Sequence, residues 1–110
     1  DLPWLAGQRV WYWGDMDAEG FELLARFRQR LPSTDSLMMD MAIWNQHLDL
    51  VCRKGSGAGK SLSTDCLELL TPDEQSVYIQ CCQQGVWLEQ ERIPQATVVQ
   101  CLRNVTGQEG

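Results

Sequence analysis

The first forty residues read as strand, helix and strand, and that order constrains the fold more than any other feature of the chain. Arg9 to Trp13 reads as a strand whose alternation puts Val10 and Tyr12 on one face and Trp11 and Trp13 on the other. Both faces are apolar, as in a sheet covered by helices on two sides. Gly14 punctuates its end. Glu19 to Leu31 reads as a helix. Phe21, Leu24, Phe27 and Leu31 recur at helical spacing, Glu22 and Arg26 form an i,i+4 pair on the outer side, and Pro32 stops the segment. Ser36-Leu37-Met38-Met39-Asp40 reads as a second strand. A strand, a helix and a second strand make a βαβ unit, which is parallel and right-handed in nearly all proteins. The expected class is therefore α/β.

Asp15 and Asp17 stand at the mouth of the first β-to-α turn, in Gly14-Asp15-Met16-Asp17-Ala18-Glu19-Gly20. Two carboxylates there offer oxygen ligands to a hard cation. Asp17 or a neighbour also suits the helix N-cap, and the helix N-terminus points positive charge at the same spot. Gly14 and Gly20 suit tight turns or the close approach of other backbone. Asp40 ends the second strand, so parallel pairing brings it to the same sheet edge as Asp15, with strands about 4.8 Å apart. Ligand sites in open α/β sheets favour that edge. Read without a cation, Asp15 and Asp17 are helix caps and Asp40 caps the next turn.

Composition narrows the classes. With 110 residues the chain is expected to form one domain, residues 1–105, with a tail over 106–110. A chain of that size buries roughly two-thirds of its unfolded surface. No apolar run reaches the ~18 residues that span a bilayer, so no membrane segment is expected. Asp1-Leu2-Pro3-Trp4 carries no initiator Met and no signal segment, and a longer parent protein is expected. The net charge of −6 argues against a stand-alone nucleic-acid binder, because phosphate contacts need clustered Lys and Arg. It leaves room for an acidic catalytic module whose DNA grip lies on another domain. The five cysteines, with Cys81 and Cys82 adjacent and no Cys-x-x-Cys, fit reduced thiols and a cytoplasmic location. One histidine, His47, makes a zinc site of usual spacing improbable, and it reads as structural or solvent-facing.

Beyond Asp40 the signals are local. Met41 to Leu50 fits a short helix, or a turn entering a strand at Leu48 to Val51. Arg53 to Asp65 is a Gly- and Ser-rich loop. Within it Gly55-Ser56-Gly57-Ala58-Gly59-Lys60-Ser61 fails the phosphate-loop pattern, because Lys54 stands where the first Gly belongs. Arg53, Lys54 and Lys60 could still contact DNA phosphates. Thr71-Pro72-Asp73-Glu74 starts a helix with a capping box and Pro at its first position, and Gly85 ends it. Val86-Trp87-Leu88 is a short apolar run. A last helix is expected over Gln95 to Asn104, with Val98, Val99 and Leu102 inward. Glu89 and Glu91 flank Gln90 and precede Arg92, which reads first as a solvated charged turn or a pair with Arg92. The five tryptophans are expected mostly in the core, with base stacking by Trp44 or Trp87 the alternative. Cys81 and Cys82 read as packing residues, since no base stands near them in sequence.

Trp13-Gly14-Asp15-Met16-Asp17 through Gly20-Phe21 resembles the metal-binding turn of Toprim domains, in particular that of the topoisomerase VI A subunit. The more extensive resemblance is to the C-terminal domain of the Wadjet JetD family. It runs on through Arg26-Phe27-Arg28, Leu31-Pro32, Leu37-Met38-Met39-Asp40, Leu70-Thr71-Pro72-Asp73-Glu74 and Leu88-Glu89-Gln90-Glu91-Arg92-Ile93-Pro94. The resemblance implies a Toprim-like (Rossmann-like), mostly parallel sheet with helices on both faces, as the C-terminal portion of a larger protein. It implies a metal-dependent DNA endonuclease of an anti-plasmid defence system, with Mg²⁺ or Mn²⁺ as cofactor. Asp15 and Asp17 match the paired metal-binding aspartates. Asp40, Glu89 and Glu91 are secondary metal candidates, and Glu89 joins Asp15 and Asp17 as a catalytic candidate. DNA, a condensin-like Wadjet complex and a second copy of the chain are the implied partners. Toprim domains carry a Glu after an earlier strand, and residues 1 to 8 contain neither, so the isolated chain is expected to be inactive. Two other classes compete. One is a non-catalytic dimerisation or docking domain. The other is a phosphotransfer receiver, which lacks here its Lys on a later strand.

Overall fold

The computed structural model describes residues 10–53 and 61–106. Its elements in order are β1 (Trp11–Tyr12), α1 (Ala18–Arg30), β2 (Asp35–Ser36), α2 (Met41–Gln46), a 3-10 turn (Leu48–Leu50), β3 (Cys52–Arg53), α3 (Thr64–Glu68), α4 (Pro72–Gln84), β4 (Val86–Trp87), a second 3-10 turn (Gln90–Arg92) and α5 (Gln95–Thr106). The domain is α/β, with helices carrying most of it. The expected βαβ unit is present: β1 and β2 pair in parallel across α1, in register Trp11 with Asp35 and Tyr12 with Ser36. Its ladder is closed by Asp35 N–H to Val10 O at 2.9 Å and Leu37 N–H to Tyr12 O at 2.8 Å.

The larger expectation of a mostly parallel sheet is not what the described residues form. They carry two two-stranded sheets, one parallel (β1–β2) and one antiparallel (β3–β4). The reason lies at the strand ends. After Leu37 the backbone turns left-handed at Met38, φ 57°, and leaves the ladder. The second strand therefore ends at Ser36, and Asp40 lies past the turn as the N-cap of α2. On the other side, the chain after Tyr12 turns to Leu88 instead of to a further parallel neighbour.

The helix on α1 faces differently from its expected stripe. It buries Phe21, Leu24, Ala25 and Arg28, the i, i+3, i+4, i+7 set, together with Gly20. Phe27 stays 45% exposed, its ring tilted against Tyr12 at 5.2 Å between centroids. Arg28 takes the inward position because a buried carboxylate meets it. Its guanidinium bonds Glu74 through Nη1 at 2.5 Å and Nη2 at 3.0 Å, Thr34 O at 2.9 Å and Leu69 O at 2.8 Å.

The segment α4 is the central helix and packs against α1, α2 and β4. Its boundaries follow local chemistry. Thr71 and Glu74 close the capping box, Pro72 opens the helix, and Gly85 ends it at φ 65°. Inward it sends Val77, Tyr78, Cys81 and Cys82. The Tyr78 hydroxyl accepts the Ser63 N–H at 3.0 Å and donates to Glu22 at 3.1 Å, tying α3 and α1 to α4. Met41 to Leu50 forms the short helix and a 3-10 turn, and the strand alternative at Leu48 to Val51 falls away. His47 is buried, with Nδ1 2.8 Å from Ile43 O, which makes it structural. Trp44 is fully buried and is not available to stack on a base. In α5 Val98 packs on the core, but Val99 and Leu102 face outward, against expectation. The glycine-rich stretch 54–60, with Lys54 and Lys60, and the region before Val10 lie outside the described residues.

Candidate functional site

Gly14 to Gly20 builds the acidic turn. Met16 makes a one-residue antiparallel bridge with Leu88, Met16 N–H to Leu88 O at 2.9 Å and Leu88 N–H to Met16 O at 3.0 Å. Its side chain is almost fully buried in the core. Extended backbone alternates faces, so anchoring Met16 inward turns Asp15 and Asp17 outward, where both are half-buried. Asp17 is the N-cap of α1, its Oδ1 accepting the Gly20 N–H at 2.6 Å. Gly20 is required by contact: a Cβ there would lie 2.0 Å from the Asp15 carbonyl oxygen. At Gly14 a Cβ would lie 2.9 Å from the Tyr12 hydroxyl, so the tyrosine ring rests on the turn itself.

Electrostatics gather at the same place. Burial raises the Tyr12 phenol above its ordinary value, and the negative charges of Asp17 and Asp15 raise it further. Tyr12 is thus held as a neutral hydroxyl beside both carboxylates. Below the turn the Cys81 thiol contacts Met16 O at 3.3 Å; burial, then Asp17, push its pKa up. A thiol so held is a packing group and not a nucleophile.

Asp15 is held from across the chain. Its Oδ1 accepts the backbone N–H of Gln90 at 2.7 Å. This brings the Leu88–Gln90 segment, and with it Glu89, to the acidic turn. The Glu89 carboxylate pairs with Arg92 at 3.4 Å, with both side chains about half exposed. Glu91 is exposed on the 3-10 turn. Asp40 is elsewhere in role: its Oδ1 accepts Ile43 N–H at 2.9 Å, and its charge helps raise the Cys101 thiol, after burial. It follows the Met38 turn instead of ending β2, so it does not stand at the strand end expected beside Asp15. Arg53 is exposed on β3.

Among the described residues no three His, Cys, Asp or Glu side chains are grouped to hold a metal ion. Two carboxylates with waters and substrate phosphates are, however, the ordinary ligand set of Mg²⁺. Two buried polar atoms nearby in sequence lack hydrogen-bond partners. Gln90 Oε1 is a buried acceptor with no hydrogen-bond partner, and Trp13 Nε1 is a buried donor in the same state. The Gln90 contact with Asp15 runs through its backbone N–H. Gln90 escaped the sequence reading. A neutral residue between two glutamates carries no signal of its own, and only its bond to Asp15 singles it out.

The chain matches the family described as "Wadjet protein JetD, C-terminal" over residues 1–102. No curated protein matches it in sequence.

Proposed function

The chain belongs to the Wadjet JetD C-terminal family, which makes it a component of a Wadjet system, and from that premise we propose that it is the metal-binding catalytic part of a DNA endonuclease. The observation that carries this reading is the acidic turn. Asp15 and Asp17 share one Gly-bounded turn at the N-terminus of a thirteen-residue helix, and each accepts a backbone N–H. Asp15 and Asp17 would hold Mg²⁺ or Mn²⁺. When bound, the ion stabilises charge on a cleaved phosphate and lowers the pKa of an attacking water.

The chain's own residues do the rest. Backbone bonds orient the two carboxylates before any ligand arrives, so little rearrangement opposes binding. The Tyr12 hydroxyl, neutral beside them, donates a hydrogen bond to a phosphate oxygen. Its raised pKa makes it a poor nucleophile, which favours hydrolysis by water over a tyrosine-linked intermediate. Among the secondary acids Glu89 takes a supporting role, because the N–H of its neighbour Gln90 bonds Asp15. The net charge of −6 leaves the DNA grip to another part of the parent protein, with a condensin-like complex and a second copy of the chain as partners.

Plasmid cleavage by the full-length protein with Mg²⁺ or Mn²⁺ tests the reading. Asp15→Ala and Asp17→Asn should each lower the rate by at least about a hundredfold, the scale of losing one preorganised electrostatic contact. Cleavage equal to wild type would reject the catalytic role. The second reading, a non-catalytic docking or dimerisation domain, draws on Leu23 and Phe27, exposed one turn apart on α1. It predicts that both substitutions leave cleavage intact.

A further inference from the structure

We propose that the outer face of α1 carries a DNA strand away from the acidic turn, with the Phe27 ring stacking on an unpaired base and Arg26 and Arg30 meeting backbone phosphates. The inference rests on the proposed function and deepens it, by naming what the site receives: a strand whose bases are locally unstacked. The face is set by helical spacing. Leu23, Arg26, Phe27 and Arg30 repeat on the solvent side the i, i+3, i+4, i+7 pattern of the buried set, and all four are exposed. The face is also continuous with the turn. The Phe27 and Tyr12 ring centroids lie 5.2 Å apart, and the Tyr12 hydroxyl rests on Gly14, where a Cβ would stand 2.9 Å from it. Aromatic surface therefore runs from the turn onto the helix.

Charge selects the occupant. From Leu23 to Arg30 every ionised side chain is an arginine, and Arg28 is spent inward on Glu74, which leaves Arg26 and Arg30 outward. Arginines in the last turn complement the helix dipole, but that accounts for neither exposed apolar neighbour. Two copies joined through this face would set arginine against arginine, since a two-fold contact uses the same patch twice. A polyanion meets no such repulsion, and base stacking on an open ring beside basic groups is how single strands are held. Stacking needs a base free of its neighbours, so the occupant is a single strand. Distance agrees. Phe27 stands ten residues after Asp17, about 15 Å along the helix. At about 3.4 Å per stacked nucleotide, that places the base a few nucleotides from a phosphate held at the turn. The contact positions one base; the main grip on DNA stays with another part of the parent protein.

The experiment uses the full-length protein without divalent metal. The probe is a single-stranded thymidine oligonucleotide carrying 5-iododeoxyuridine, which on irradiation joins to an aromatic ring it stacks on. Mass spectrometry should place the adduct on Phe27. Phe27→Leu keeps an apolar group against Tyr12 without the ring face; it should lose the adduct and weaken single-strand binding roughly fivefold to a hundredfold, the scale of one base stack. Phe27→Trp should restore both. If the leucine variant fails to fold, the wild-type adduct decides. Arg30→Gln should lower the salt slope of single-strand binding by about 0.7, one phosphate contact. The same sequence as a duplex should leave Phe27 unlabelled. Adducts confined to other residues, wild-type affinity in Phe27→Leu, an unchanged salt slope in Arg30→Gln, or equal labelling by the duplex would each overturn the proposal. Adducts elsewhere together with altered sedimentation of Phe27→Leu would give the face to a second copy of the chain. A Phe27 adduct alongside wild-type cleavage by Asp15→Ala would keep the strand on α1 and remove the proposed function. Wild-type binding by Phe27→Leu alongside lost cleavage by Asp15→Ala would do the reverse.

Discussion

Gly20 shows how much a single residue decides. It sits in the first turn of α1, where alanine would raise helix propensity by about 1 kcal/mol. Yet its Cβ would stand 2.0 Å from the Asp15 carbonyl oxygen, a contact backbone cannot relieve cheaply. Gly20→Ala is therefore expected to lower stability by about 1–3 kcal/mol, the range for overpacking, with thermal or denaturant unfolding as the measurement. A stabilised variant would mean that Asp15 does not rest on the helix. Asp17→Ala removes the cap, and a loss of about 1 kcal/mol by the same measurement is expected. The sequence carried part of each expectation, since Gly20 suits a close approach of other backbone and Asp17 suits a helix N-cap. It carried nothing about Gln90, whose backbone is what touches Asp15.

At the scale of elements, the capping box of α4 has a second use. Glu74 caps its own helix through the Thr71 N–H and also accepts from Arg28 of α1 and from the Ser36 hydroxyl of β2. Burial alone would raise its carboxyl pKa; the bonds from Arg28, Ser36 and Thr71 outweigh burial and hold it below the ordinary value. A depressed folded-state pKa contributes stability that is present above the unfolded value, near about 4.3, and is lost as pH falls through the folded value. Denaturant midpoints of wild type should therefore drop below about pH 4.3, and Glu74→Gln should flatten that part of the profile. Arg28→Ala, which strands a buried carboxylate, should cost about 3–5 kcal/mol in the same titration. The box itself is legible from Thr71, Pro72 and Glu74. The ion pair is not, because Arg28 lies 46 residues from Glu74 and reads as the polar neighbour of Phe27.

For the whole molecule, α4 lies against α1, α2 and β4, and the cysteines report on that packing. Cys66, Cys81 and Cys82 are buried, while Cys52 and Cys101 are partly exposed. Alkylation of the native protein, mapped by mass spectrometry, should label Cys52 and Cys101 first. Cys81 and Cys82 should react only on unfolding, since burial raises the Cys81 thiol and closes it to reagent. Early labelling of Cys81 would mean that the floor of the acidic turn opens.

What the sequence by itself determined was local: where α1 and α4 begin and end, that a parallel strand pair brackets α1, and that Asp15 and Asp17 stand on the turn between. Caps, glycines and prolines act within a few residues, so their consequences can be read along the chain. Only the tertiary structure decided which side of α1 faces inward, that Asp40 leaves the strand edge, and that Gln90 meets Asp15 across 75 residues. Those outcomes depend on which buried groups find partners, and partnership across such separations is set by packing, which no local pattern encodes.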